Sequence, residues 1–171
     1  VYGDYRYINH PVTGVNHGQA AEYCTFVHGR LPSEAEWEVA AACDGTTTRR
    51  PHPWGDASLT IERAVTVAWR IDAPAPVGLC PAGMSACGAL DLAGNISEWS
   101  GGKEEDYPKR ANRLADDHPV YPGIGPLSVP ARGDSWKMSH STPGCGVRHI
   151  NSSDFRDADR GLRLALAPSP V

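Results

Sequence analysis

The chain has 171 residues, a formal net charge of −4 and about two fifths apolar side chains. That is the size of one domain, with enough core to need neither metal nor disulfide for folding. It shows no basic stripe, no run of like charges and no apolar stretch near the ~20 residues of a membrane span, which excludes nucleic acid and membrane insertion from the expected partners.

Gly and Pro, 18 and 15 of them, predict many turns and little long regular structure. The chain opens at Val1 without Met or a visible signal peptide, and the expectation is a mature form or an excised domain. A secreted or cell-envelope setting is one expectation for it.

The first predicted element lies in "VNHGQAAEYCTFVHG". Ala20, Tyr23, Cys24 and Val27 fall at i, i+3, i+4 and i+7, one face of a helix. Asn16 caps it, Gln19 caps in return, and Gly29 ends it. The second helix is "LPSEAEWEVAAAC", with Ser33 at the N-cap, Glu36 at N3, and Glu34 and Glu36 where the helix dipole favours negative charge. "AVTVAWRI", Ala64 to Ile71, reads as a strand, and so does "GLRLALA", Gly161 to Ala167. Residues 101–130 form a long polar, Pro-rich connection, of the kind that carries function or motion. Trp37, Trp54 and Trp99 are expected in the core.

Of the five cysteines, Cys24 and Cys43 sit on the predicted helices and are expected as small core residues. Cys80 and Cys87 bracket a Pro-Gly turn, and either close a small disulfide loop or are two unrelated thiols. There is no C-x-x-C pair, no H-x-x-x-H or H-x-H spacing, no G-x-S-x-G and no Gly-rich phosphate loop.

Several stretches together resemble the formylglycine-generating enzyme, or sulfatase-modifying factor, family. They are "HPVTGVNHGQAAEYCTFVHGRLPSEAEWEVAA", "PWGD", "GALDLAGNISEWS", "RGDSW" and "RGLRLAL", in that order and spacing from about His10 to Leu166. The resemblance implies an α+β domain with a C-type-lectin-like fold: two helices packed on small antiparallel sheets with much irregular loop. It also implies that residues 1–171 form one such domain, lacking an N-terminal segment of the full family domain.

The family includes copper oxidases and non-catalytic binding domains, so the resemblance implies the fold more firmly than the activity. Its oxidases use two cysteines after the Trp of the "RGGSW" turn. At those positions this chain has Met138 and Pro143, and Pro supplies no ligand atom, so copper is not expected. A rescue set of Met138, His140 and Cys145 is the weak catalytic alternative.

The family's calcium turn maps onto "DLAGNISEW". The resemblance implies ligands from the Asp91 and Glu98 side chains and the Gly94 and Ile96 carbonyls; the alternative is a turn whose carboxylates only cap backbone N–H groups. A second family calcium position holds Val65 and is not expected to bind.

Family spacing also implies that Arg148, Asp154, Arg156 and Arg163 brace a loop against the body of the fold. Trp136, Lys137, Met138, Ser139, His140, Ser141, Thr142, His149, Asn151, Ser152, Phe155, Asp157 and Asp159 then form a mixed polar surface on that frame. The reading is therefore a non-catalytic domain that binds a protein or a small-molecule ligand through 137–159, with a divergent copper oxidase or accessory enzyme domain as the alternative. The same arrangement resembles the variable proteins of diversity-generating retroelements.

Overall fold

The computed structural model describes residues 5–46, 49–102, 120–121, 128–138 and 144–166. Two helices, α1 (His17–Phe26) and α2 (Glu34–Ala42), precede five strands: β1 (Ser97–Trp99), β2 (Val120–Tyr121), β3 (Ser128–Arg132), β4 (Arg148–Ser152) and β5 (Arg160–Leu162). The strands form one sheet in the order β2-β4-β3-β1-β5. The β1–β3 and β3–β4 pairs are antiparallel, whereas β1–β5 and β2–β4 are parallel. The α+β class holds, and the described strands make a single mixed sheet rather than several small antiparallel ones.

Both helices start where the sequence places them. Asn16 and Gln19 form a reciprocal capping box on α1, and Ser33 and Glu36 form one on α2. Only part of the predicted apolar face of α1 is buried. Ala20 and Cys24 are fully buried, whereas Tyr23 is 54% exposed. Small residues let α1 lie close to the sheet, over Leu31, Trp99, Val129 and Ala131, and a ring at position 23 points away from that line of contact.

The other face of the sheet meets α2, where Trp37, Ala41, Ala42, Leu92 and Cys145 pack together. A third cluster joins Val65, Ala75 and Cys80, with Trp69, Ile71 and Trp136 packed against it. Trp37 and Trp99 are core residues, at 1% and 0% exposure. Trp54 is only partly buried; it stacks on His52 with ring centroids 4.8 Å apart.

Ala64–Ile71 is not a strand. Thr66 caps a short 3-10 turn, Val67–Trp69, and Arg70 ends it in the left-handed region at φ 53°. The backbone here is used by Asn95, whose N–H bonds the Val65 carbonyl at 2.8 Å, and no strand lies alongside to extend a ladder. The last strand stops at Leu162, although Ala165 still exchanges hydrogen bonds with Arg30. Gly161 is required inside β5, because a Cβ there would run into the Val12 carbonyl oxygen of the segment alongside. All five cysteine thiols are free, so the Cys80–Cys87 bridge is not formed; Cys80 is buried and Cys87 exposed. Cys43 is partly buried rather than core.

Candidate functional site

The "RGDSW" turn leaves the end of β3 and is held by charge on the α2 side of the sheet. Glu34 takes both Arg148 donors, Nε and Nη2, at 2.7 Å each. Arg132 bonds Glu38 at 2.7 Å and lies 3.6 Å from Glu34. Its Nη2 also donates to the Cys145 carbonyl at 3.0 Å, which ties the far end of the loop to its start. Arg132 lies over the Trp37 ring at 5.3 Å.

The frame thus consists of Arg132, Arg148, Glu34 and Glu38. Arg148 braces as expected, but Asp154 and Arg156 are exposed and do not. Sequence reasoning assigned Glu34 to the helix dipole and passed over Glu38. The signal was present: Glu34 and Glu38 share a helical face with Trp37 and Ala41, at the spacing of core positions.

A second network lies under the loop. Lys137 pairs with Asp157 and reaches Asp159 at 3.4 Å, while the Ser135 hydroxyl donates to Asp159 at 2.6 Å. Burial pulls the Lys137 ammonium down, but Asp157 and Asp159 outweigh it, and its pKa is raised. The same burial pushes Asp157 up, and Lys137 more than reverses it.

Of the predicted ligand-binding residues, His149 and Asp159 are buried, at 3% and 1% exposure, and present no surface. His149 points to the α1 side of β4, and Asp159 is consumed by Ser135 and Lys137. Trp136, Met138, Asn151, Ser152 and Asp157 are half-buried, and Lys137 and Phe155 are exposed. Ser139, His140, Ser141, Thr142 and Pro143 lie outside the described residues.

Cys145 does not face the loop. It is 2% exposed and packs against α2 and Leu92, and burial pushes its thiol up to about 12, against the pull of Arg132 and Arg49. It is therefore a thiol rather than a thiolate at neutral pH, the form that neither attacks nor ligates well. Among the described residues no group of three or more His, Cys, Asp or Glu side chains gathers in metal-holding range.

The "DLAGNISEW" turn has two left-handed non-glycine residues, Asp91 at φ 58° and Asn95 at φ 62°, around Gly94 at φ 85°. A Cβ on Gly94 would collide with the Val65 carbonyl. Asn95, 1% exposed, organises the region: its side chain exchanges hydrogen bonds with Ala75 and its carbonyl accepts from Trp136 N–H at 2.9 Å.

Glu98 accepts from Arg163 at 2.6 and 2.8 Å and from Trp37 Nε1 at 2.7 Å. Asp91 accepts from Gly78 N–H at 2.7 Å. Burial raises the Asp91 pKa, partly offset by the Gly78 N–H and by Arg163. Glu98 and Arg163 act on Asp91 in opposite senses, the first raising and the second lowering its pKa. Among the described residues the Gly94 and Ile96 carbonyls accept no hydrogen bond. Two carboxylates with acceptor capacity left and two uncommitted carbonyls are hard oxygen donors of the kind that suits Ca²⁺.

A family model described as "Sulfatase-modifying factor enzyme 1-like domain" matches residues 4–168. The chain is 35% identical over 159 residues to a hercynine oxygenase of Mycolicibacterium thermoresistibile, covering 91% of this chain and 35% of that protein. It is 33% identical over 180 residues to the formylglycine-generating enzyme of Mus musculus, covering 95% of this chain and 46% of that protein. The chain thus spans a third to a half of the length of these relatives. Among solved structures, Treponema denticola variable protein 1 superposes with a TM-score of 0.68 at 21% identity, over 98% of this chain and 74% of that one.

Proposed function

Because the chain belongs to the sulfatase-modifying factor enzyme 1-like domain family, we propose that it is a non-catalytic member, binding a protein or small-molecule ligand through the surface around residues 137–159. The observation that carries this reading is the fate of the sulfur ligands. Met138 and Pro143 stand where the oxidases carry cysteines, and the one nearby thiol, Cys145, is turned into the α2 core and held protonated. The rigid Arg–Glu frame beneath a chemically mixed rim supports a binding role, since a pre-ordered scaffold lowers the entropy lost on binding. Anaerobic Cu(I) titration with turnover of a Cys-containing peptide tests it. The expected result is no stoichiometric tight copper and no formylglycine; either one defeats the reading.

A second reading, an oxidase or the accessory part of an enzyme, is favoured by the names of the relatives, which include oxygenases much longer than this chain. Cys145→Ser separates the two. Under the binding reading it costs only stability, about 1–3 kcal/mol for a buried hydroxyl without a partner, and leaves ligand affinity unchanged. Under the enzyme reading it abolishes activity.

Calcium is part of the proposal. Asp91, Gly94, Ile96 and Glu98 would hold the ion, which would pin the turn that carries Asn95 and, through it, Trp136. Saturating Ca²⁺ is expected to stabilise by about 2.7 kcal/mol at a hundredfold excess over Kd. The melting temperature should rise by roughly 5–10 °C. Asp91→Ala should erase the shift and is a cleaner variant than Glu98→Ala, which also strands Arg163 and Trp37. Identical melting curves in millimolar Ca²⁺ and in EGTA would count against the ion.

A further inference from the structure

Two buried arginines on this frame, Arg132 and Arg148, and the partly buried Arg163 have carboxylate partners. A fourth does not. Arg160, on β5, is 2% exposed, and its Nε and Nη1 are buried with no hydrogen-bond acceptor among the described residues. Its neighbours are aromatic faces: the guanidinium carbon lies 5.3 Å from the Trp99 ring centroid and 5.8 Å from that of Phe155. The acids nearby are committed elsewhere, Asp157 to Lys137 and Asp159 to Ser135 and Lys137. Burial draws the Arg160 pKa down to about 10, against the Coulombic pull of Asp159 and Asp157, so it remains a cation at neutral pH.

Leaving two buried guanidinium nitrogens without an acceptor is costly, because their N–H groups have left water without replacement. Here the cost is borne at the edge of the surface around residues 137–159. Trp99 is immovable, fully buried and hydrogen-bonded through Nε1 to the Val15 carbonyl at 2.9 Å. Phe155 is 38% exposed, on a turn between β4 and β5 whose adjacent residues Asp154 and Arg156 are also exposed. One of the two rings is therefore held in place and the other faces solvent.

We propose that Arg160 is an anchoring point for the carboxylate of a ligand with a flat apolar body, reached when Phe155 swings outward. A planar guanidinium can present two parallel donors to a carboxylate, and the fixed Trp99 ring plane favours a flat group over a bulky one. The inference rests on the binding reading above and supplies its ligand class.

The test is a titration of the full chain with benzoate, benzamide and inorganic phosphate, followed by amide chemical shifts. Benzoate should bind saturably and move the resonances of residues 155–160. Benzamide, the uncharged isostere, should bind at least about tenfold more weakly, as loss of a charge-assisted bond implies. Arg160→Gln should reduce benzoate affinity by a similar factor, and Arg160→Lys, which keeps charge but not the fork, by less. Phe155→Ala should keep the preference for benzoate over benzamide.

Equal binding of benzoate and benzamide, phosphate preferred to benzoate, no saturable binding, or unchanged affinity in a folded Arg160→Gln protein would each overturn the proposal. The last two results are expected if water alone satisfies the guanidinium. Should Arg160→Gln fail to fold, the benzoate-to-benzamide ratio in Phe155→Ala decides. The binding reading fails separately, on copper uptake or formylglycine formation, which these titrations do not touch.

Discussion

Glu34→Ala is expected to cost about 3–5 kcal/mol of stability, the penalty for stranding a buried charge by deleting its partner. Glu34 is 5% exposed and receives both Arg148 donors at 2.7 Å, with Arg132 a further 3.6 Å away. Both guanidiniums are buried, Arg132 at 1% and Arg148 at 5% exposure. Arg132 retains Glu38, but Arg148 has lost both bonds of its fork. Against a total of about 5–15 kcal/mol for a typical domain, the loss is large. Urea unfolding should show a lower midpoint at an unchanged slope. The double variant Glu34→Leu with Arg148→Met should recover most of the loss, because an apolar pair of similar volume removes both desolvation costs. A single variant that unfolds like the parent would show that the pair adds nothing to the fold.

Trp99→Ala is expected to cost about 3–5 kcal/mol, as large aromatic truncations in cores do. Trp99 is fully buried and joins several parts of the molecule. Its ring fills the α1 side of the sheet, meets His17 edge-on at 5.8 Å and carries Arg160 at 5.3 Å. Its Nε1 holds the Val15 carbonyl and so fixes the approach to α1. The melting temperature should fall by roughly 6–20 °C, from about 2–4 °C per kcal/mol in a domain of this size. Trp99→Phe keeps a ring but gives up that hydrogen bond, and should lose about 1–3 kcal/mol. A near-UV circular dichroism melt of both variants gives the measurement, and equal losses for Ala and Phe would show that the ring's volume is not what matters.

Local chemistry was legible in the sequence wherever it acts over three or four residues. Both capping boxes and the starts of both helices follow from Asn16, Gln19, Ser33 and Glu36, since a side chain bonding its own helix start needs nothing distant, whereas α1 ends at Phe26 with His28 rather than Gly29 in the left-handed region. The motif order from "RLPSEAEWE" to "RGLRLAL" also indicated the family and the α+β class, and placed Arg148 as a brace. That positions 138 and 143 carry Met and Pro, and no thiol, is likewise a property of the sequence itself.

What only the tertiary structure decided depends on contacts between residues far apart in the chain. Glu34 and Arg148 are 114 positions apart, and no local pattern pairs them. Ala64–Ile71 has strand propensity, but it lacks a neighbouring strand, and its carbonyl at Val65 goes to Asn95 instead. Cys145 looks available beside a polar loop, yet the fold turns it into the α2 core. Arg160 carries no signal in the sequence, and only the packing of Trp99 and Phe155 around it buries its Nε and Nη1 with no acceptor among the described residues. Burial and partner choice for a charged side chain are set by the whole surrounding shell, which the chain assembles from segments that the sequence alone does not bring together.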